Sequence, residues 1–224
     1  MASFDSPSGI PYSDVNLKTR TGHAPKWSPD SSTSEVTTIQ LEFRDLSRAT
    51  GNPKYEEAVA KVSRQVHEQP KTSGLVPIYI NANTGKFRQY STITLGARGD
   101  SYYEYLLKQW LQTGRTVDYL RHDYNESMAG VGCQPSSNTL MPLLSSPLLP
   151  SAQVMSKLVR RTVPGNLVFV GEILGGGKDF KPKMDELVCF LPGTLALGHH
   201  LGLPATHQRL AEELAHTCYL TFAR

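Results

Sequence analysis

The sequence predicts an all-α protein built from stacked helical hairpins. Two observations predict it: a helix, glycine, helix pattern that recurs along the chain, and short β-prone segments between the recurrences. The first unit begins at Thr33–Ala49, where Val36, Ile39, Phe43 and Leu46 fall at helical spacing behind a Ser/Thr-rich stretch that can supply an N-cap. The spacing predicts one helix there. Gly51-Asn52-Pro53 ends it, and Pro53 suits the start of a second helix carrying Tyr55, Val59, Val62 and Val66.

The same break recurs at Gly114, within Leu111–Leu120, and at Gly202, within Leu201–Leu210. Between the hairpins, Leu75–Ile80 is predicted to turn at Asn83-Thr84-Gly85, and Leu167–Val170 to turn near Gly175–Gly177. The helix Asp100–Leu111 holds Tyr102, Tyr103, Tyr105, Leu106, Leu107, Trp110 and Leu111, a pattern expected of a buried inner helix. Hairpins of this kind bury their inner faces by stacking into a solenoid or closing into a toroid. Both ends of the chain look cut.

The first two glycine breaks are about 63 residues apart and the next two about 88, so roughly 25 residues are extra in the second unit. Gly132–Gln153 (132–153) is the expected insertion, because Pro, Ser and Leu replace the helical pattern there. It reads either as a surface loop or as a retained intron or faulty gene model.

The formal net charge of +3 is small and its basic residues are scattered, which gives no footprint for nucleic acid. No apolar run approaches membrane-spanning length, and the first residues lack the pattern of a signal peptide. Cys133, Cys189 and Cys218 show no metal-type spacing. From spacing alone, three partly buried free thiols are the favoured reading, with one bridge and a leftover thiol as the alternative.

Carboxylates recur at equivalent places: Glu35 opens the first helix, Asp100 the helix after the first β-prone segment, and Asp185-Glu186 the helix after the second. All are expected at one end of the array. Taken singly, each reads as a helix cap or a partner of the helix dipole. Their recurrence, with Tyr12, Trp27 and Tyr102 nearby in sequence, points to a carbohydrate site, since sugars are held by carboxylate acceptors and aromatic faces.

Four stretches, Ile10–Asn16, Ser34–Arg44, Thr94–Trp110 and Leu187–Gly193, resemble the class I α-1,2-mannosidases, most closely those of the endoplasmic reticulum. The resemblance covers nearly all of the chain outside the insertion. It implies part of an (α/α)7 toroid with short β-hairpins between the helical hairpins, and a partial catalytic domain over 1–224. It also implies calcium-dependent, inverting removal of terminal α-1,2-mannose from high-mannose N-glycans in the lumen of the endoplasmic reticulum or Golgi, with any membrane anchor upstream.

By the same resemblance Asp100 is a catalytic-site aspartate, Glu35 a substrate-contacting glutamate, and Arg98 an arginine reaching into the glycan branches. Glu186 stands where the family usually has a histidine that contacts sugar, and it replaces a possible donor with an acceptor. The resemblance pairs Cys189 with Cys218, reversing the reading from spacing, and gives Cys133 no counterpart. It places the usual acid before Met1 and the usual base and calcium-binding threonine beyond Arg224, so no metal ligand is expected here and the chain alone is expected to be inactive. Asn125-Glu126-Ser127 is a glycosylation sequon that reads by default as a solvated helix face. Two other readings stay open: a non-catalytic mannose-binding family member acting in glycoprotein degradation, and a helical-repeat scaffold that binds protein.

Overall fold

The computed structural model describes residues 1–26, 28–131 and 157–223. The expected insertion at 132–153, with Cys133, and Trp27 lie outside the described residues.

The helices come as three antiparallel pairs: α1 (Thr33–Thr37) and α2 (Gln40–Thr50) with α3 (Lys54–His67), α4 (Asp100–Gln112) with α5 (Asp118–Val131), and α6 (Leu191–His200) with α7 (Thr206–Phe222). Their joining turns contain Gly51, Gly114 and Gly202 at φ of 69°, 64° and 87°. An added Cβ at any of the three meets nothing within 4 Å, so backbone conformation rather than space selects glycine there. The first helices of the pairs form one row, since α4 contacts α1, α2 and α6. This makes α4 the inner helix, with Tyr102, Tyr103, Leu106, Leu107 and Trp110 all buried.

The helix expected over Thr33–Ala49 is broken in two. Thr38 and Ile39 leave helical geometry at ψ of 29° and 3°. The run Val36-Thr37-Thr38-Ile39 is wholly β-branched, and the Thr37 and Thr38 hydroxyls bond back to the carbonyls of Thr33 and Ser34 at 2.7 Å each. The fully buried Gln40 side chain mends the gap: its Oε1 accepts from Ile39 N–H at 2.9 Å and its Nε2 donates to Val36 O at 3.0 Å.

The buried face of α2 is Gln40, Arg44 and Ser47 rather than the apolar stripe. Arg44 donates to Gln109 Oε1 on α4 at 2.9 Å, while Phe43 packs between the rings of Phe4 and Tyr55 at 5.7 and 5.9 Å.

The strands also differ from expectation. β1 (Asp14–Asn16) and β2 (Thr21–His23) form an unforeseen hairpin, and β3 (Asp30–Ser32) pairs with β4 (Tyr79–Asn81). The expected turn after β4 is present, with Gly85 N–H on Asn81 O at 2.7 Å, but its return arm forms no strand and pairs back only through isolated bridges, Phe87 with Ile80 and Ile93 with Pro77. The second β-prone region is two hairpins, not one. β5 (Val159–Arg161) pairs with β6 (Val168–Val170), and β7 (Glu172–Leu174) turns through Gly175–Gly177 into β8 (Asp179–Lys181). Gly171 separates the two because an added Cβ would sit 2.5 Å from the Phe180 ring.

Cys189 and Cys218 form a disulfide, as the family resemblance implied and the spacing alone did not. It ties the 3-10 helix Glu186–Phe190 to α7. Asn125 is exposed on α5, whereas Ser127 is fully buried and donates to Gly74 O at 2.7 Å. The sequon therefore straddles the face rather than lying on it.

Two consequences are measurable. The disulfide closes a separation of 29 residues, so Cys189→Ala with Cys218→Ala should lower unfolding free energy by about 3–4 kcal/mol on the chain-entropy account, read by denaturant titration. His207 is 6% exposed, and its Nδ1 has no partner among the described residues. Burial, followed by the neighbouring His199, lowers its pKa below the ordinary 6.5. The unfolded chain then binds the proton first, so the stability His207 contributes is complete above about pH 6.5 and is lost as pH falls toward the depressed folded value. His207→Phe should flatten that slope in Tm against pH.

Candidate active site

Three of the helix starts converge on one loop, Thr94–Gly99. Ser32 caps α1, its Oγ accepting from Glu35 N–H at 3.4 Å. A serine three residues before a glutamate is the pattern of a capping box, in which the glutamate reaches back to the cap. Here Glu35 is exposed, and its Oε2 instead accepts from the Ser13 hydroxyl at 3.0 Å. The carboxylate thus faces a cleft of about 500 Å³ that Tyr12 and Phe43 also line.

One residue earlier, Ser34 N–H donates to the Arg98 carbonyl at 3.0 Å. Arg98 has a left-handed backbone, φ 70°, which a non-glycine residue adopts only when its surroundings hold it. Its guanidinium lies 5.8 Å from the centre of the Tyr79 ring. Two residues on, Asp100 is the first residue of α4, half-buried, with Oδ1 accepting from Ser101 N–H at 2.8 Å. Its N–H donates to Gly96 O at 2.9 Å, closing the loop onto the helix.

The third start is fastened to the same loop from the other side. Asp185 caps the 3-10 helix that precedes α6, with Oδ1 accepting from Leu187 N–H at 3.0 Å. Its Oδ2 accepts from Ala97 N–H at 3.5 Å, and a Cβ on Gly96 would lie 2.5 Å from the Asp185 Cβ. Gly96 is therefore required for space. Glu186, beside this cap, is exposed.

The structure thus brings the elements bearing Glu35, Arg98, Asp100 and Glu186 to one end. Of the expected aromatics among the described residues, it places Tyr12 there and not Tyr102. Tyr102 is 3% exposed and packs edge-on against Tyr103 at 5.1 Å, so it belongs to the core because inner-helix packing claims it. Tyr12 keeps its place beside Glu35, donating to Asn83 at 3.0 Å. Sequence reasoning missed Tyr79 and Ser13, whose roles depend on contacts across 19 and 22 positions of chain.

One group of possible metal-binding atoms occurs among the described residues: His122, Asp123 and Glu126, within 4.8 Å of one another. Calcium takes six to eight oxygen ligands. Asp123 is already engaged by His67 at 2.9 Å and by the buried Lys71 at 3.6 Å, so this group does not fit a calcium centre.

A row of helical hairpins whose inner helices start beside carboxylates at one end has the architecture of part of an α/α toroid. The alpha-1,2-mannosidase from Trichoderma reesei shares the fold, with a TM-score of 0.71 at 22% identity over 97% of this chain and 40% of that one. The chain belongs to glycosyl hydrolase family 47, whose model matches residues 1–141 and 150–224. It is 49% identical to the human endoplasmic reticulum mannosyl-oligosaccharide 1,2-alpha-mannosidase, over 98% of this chain and 28% of that protein. The Saccharomyces cerevisiae protein of the same name is 36% identical, over 98% and 39%. The chain therefore spans about a third of the length of these relatives. No helix among the described residues is long and apolar enough to cross a membrane.

Gly96→Val should separate the Asp185 cap from the Arg98 loop. The expected result is a loss of roughly 2–4 kcal/mol of stability from the forced clash and the lost bonds, measured by denaturant unfolding, whereas the control Gly193→Ala, within α6 and in open space, should cause no loss and a gain of at most about 1 kcal/mol.

Proposed function

We propose that this chain is part of a mannosyl-oligosaccharide 1,2-α-mannosidase that trims terminal α-1,2-linked mannose from high-mannose N-glycans with inversion. The observation that carries the reading is the joining of the Glu35, Asp100 and Asp185-Glu186 helix starts through the Thr94–Gly99 loop, in a family 47 chain. Inversion needs one carboxyl group to protonate the leaving oxygen and another to activate water from the opposite face. Asp100 is the carboxylate of this chain assigned to the reacting sugar, Glu35 accepts from substrate hydroxyls, and Arg98 selects among branches. Glu186 accepts hydrogen bonds where a histidine would also donate. Calcium, where bound in the whole domain, would supply a charged anchor for sugar hydroxyls; no group among the described residues fits it. The disulfide supports a lumenal, oxidising compartment such as the endoplasmic reticulum.

The test is a chimera in which residues 1–224 replace the matching segment of the human relative. It should release mannose from a high-mannose N-glycan, while residues 1–224 alone should not. Asp100→Asn in the chimera should cut turnover by roughly 10²–10⁴-fold, the usual worth of a positioned catalytic carboxyl group. Unchanged turnover would remove Asp100 from the site, and glycan binding without turnover would move the chain to the non-catalytic mannose-binding class.

A further inference from the structure

Beside the carboxylate loop lies a second groove, of about 580 Å³, formed by the segment after α3 and the arm that returns from β4. Chain direction puts it at the same end: α3 runs antiparallel to α2, and Thr33 N–H, at the start of α1, bonds Ile78 O at 3.0 Å. None of Glu35, Arg98, Asp100 or Glu186 lines it. Its floor and rim include Pro70, Phe87, Arg88, Gln89, Tyr90 and Ser91.

Two features of this groove are not explained by folding. Ser91 is 9% exposed, and its Oγ has no partner among the described residues, although a buried hydroxyl without a bond destabilises the fold. Tyr90 is 73% exposed and held at φ 59°, a conformation disfavoured for a bulky residue. The glycine turn between β7 and β8 passes closely against it, since a Cβ on Gly176 would lie 3.3 Å from Tyr90 Cδ1. A large aromatic ring is thus left in solvent beside an unpartnered hydroxyl.

Charge and edge geometry select the class of occupant. Arg88 is balanced by Asp30 at 3.3 Å, and the other two charged residues of the lining, Lys86 and Glu68, are of opposite sign, so the groove has no excess of positive charge to select an anion. An extended peptide would need open main-chain groups, but the return arm pairs with β4 on one edge, through Asn81 N–H to Lys86 O and Arg88 N–H to Tyr79 O, both 2.9 Å, and on its other edge Phe87 N–H is taken by Gln69 Oε1 at 2.7 Å. What remains suits a neutral polyol with an apolar face. The Arg88 guanidinium lies 6.0 Å from the centre of the same Tyr79 ring that carries Arg98, which makes the surface continuous from Arg98 to the groove.

We propose that this groove is an accessory oligosaccharide subsite, in which Tyr90 stacks on a sugar ring and the Ser91 hydroxyl, which has no partner in its present buried rotamer, turns outward to hydrogen-bond a hydroxyl of a second glycan branch. The proposal rests on the glycan-processing reading for its ligand but uses different residues. The chain labelled with 13C in its tyrosine rings is titrated with α-1,2-linked mannotriose, and the Tyr90 signal is assigned by its loss in Tyr90→Gly, a substitution that the left-handed backbone accepts. The Tyr90 signal should shift saturably. Ser91→Ala should weaken the midpoint roughly fivefold to tenfold, the worth of one hydrogen bond, while raising or preserving Tm, because it removes an unsatisfied hydroxyl. Asp100→Asn should leave the Tyr90 shift intact, which separates the groove from the catalytic reading. A Tyr90 signal unmoved by mannotriose, an equal response to an unglycosylated peptide, or full affinity in Ser91→Ala would overturn the proposal.

Discussion

The bond from Ser34 N–H to the Arg98 carbonyl, 3.0 Å, is the constraint on which the rest of this structure depends. It fixes the first turn of α1 to the loop that launches α4, and the same loop takes the Asp185 side chain one residue away, at Ala97. Ile93, just upstream, exchanges both backbone hydrogen bonds with Ile173 at 2.9 Å and so carries the β7–β8 hairpin. Each such bond contributes about 1 kcal/mol net, but each would cost more if left unmade in the buried interior. Three hairpins distant in sequence are thereby held in register by a stretch shorter than two helical turns.

The break between α1 and α2 follows from the same constraint. With its start fixed to Arg98 and its far end packed on α4 through Arg44 and Gln109, a single helix would have to satisfy both attachments in one straight line. The chain bends instead at a β-branched run with low helix preference, and the buried Gln40 amide replaces the lost backbone bonds. Glu35 sits on the short leading piece, so its direction is set by the loop rather than by the long helix.

Away from the loop, the buried charges among the described residues are paired. Asp123, 2% exposed, is held by His67 and by Lys71, whose ammonium also donates to His67 O at 2.6 Å. A buried ion pair of this kind is weak evidence for net stability, yet removing one partner leaves an uncompensated charge. Its effect here is to lock α3 against α5 at the carboxylate end. The disulfide does the equivalent work for the last hairpin, fastening the helix start at Glu186 to α7.

By itself the sequence determined the helical hairpins, because Gly51, Gly114 and Gly202 punctuate helical periodicity and that signal is local. It also determined the family, through Thr94–Trp110, and with it the Cys189–Cys218 pairing that spacing alone argued against. Only the tertiary structure decided which strands pair, that Tyr102 is core, and that the α2 stripe of Ile39, Phe43 and Leu46 is not its buried face. Strand pairing and burial depend on partners brought from far along the chain, and periodicity carries no information about them. The place of Asp100 in a set of converging helix starts was decided in the same way: its position at the head of a helix is local, but its neighbours arrive through the Arg98 and Asp185 bonds, which exist only once the hairpins have packed.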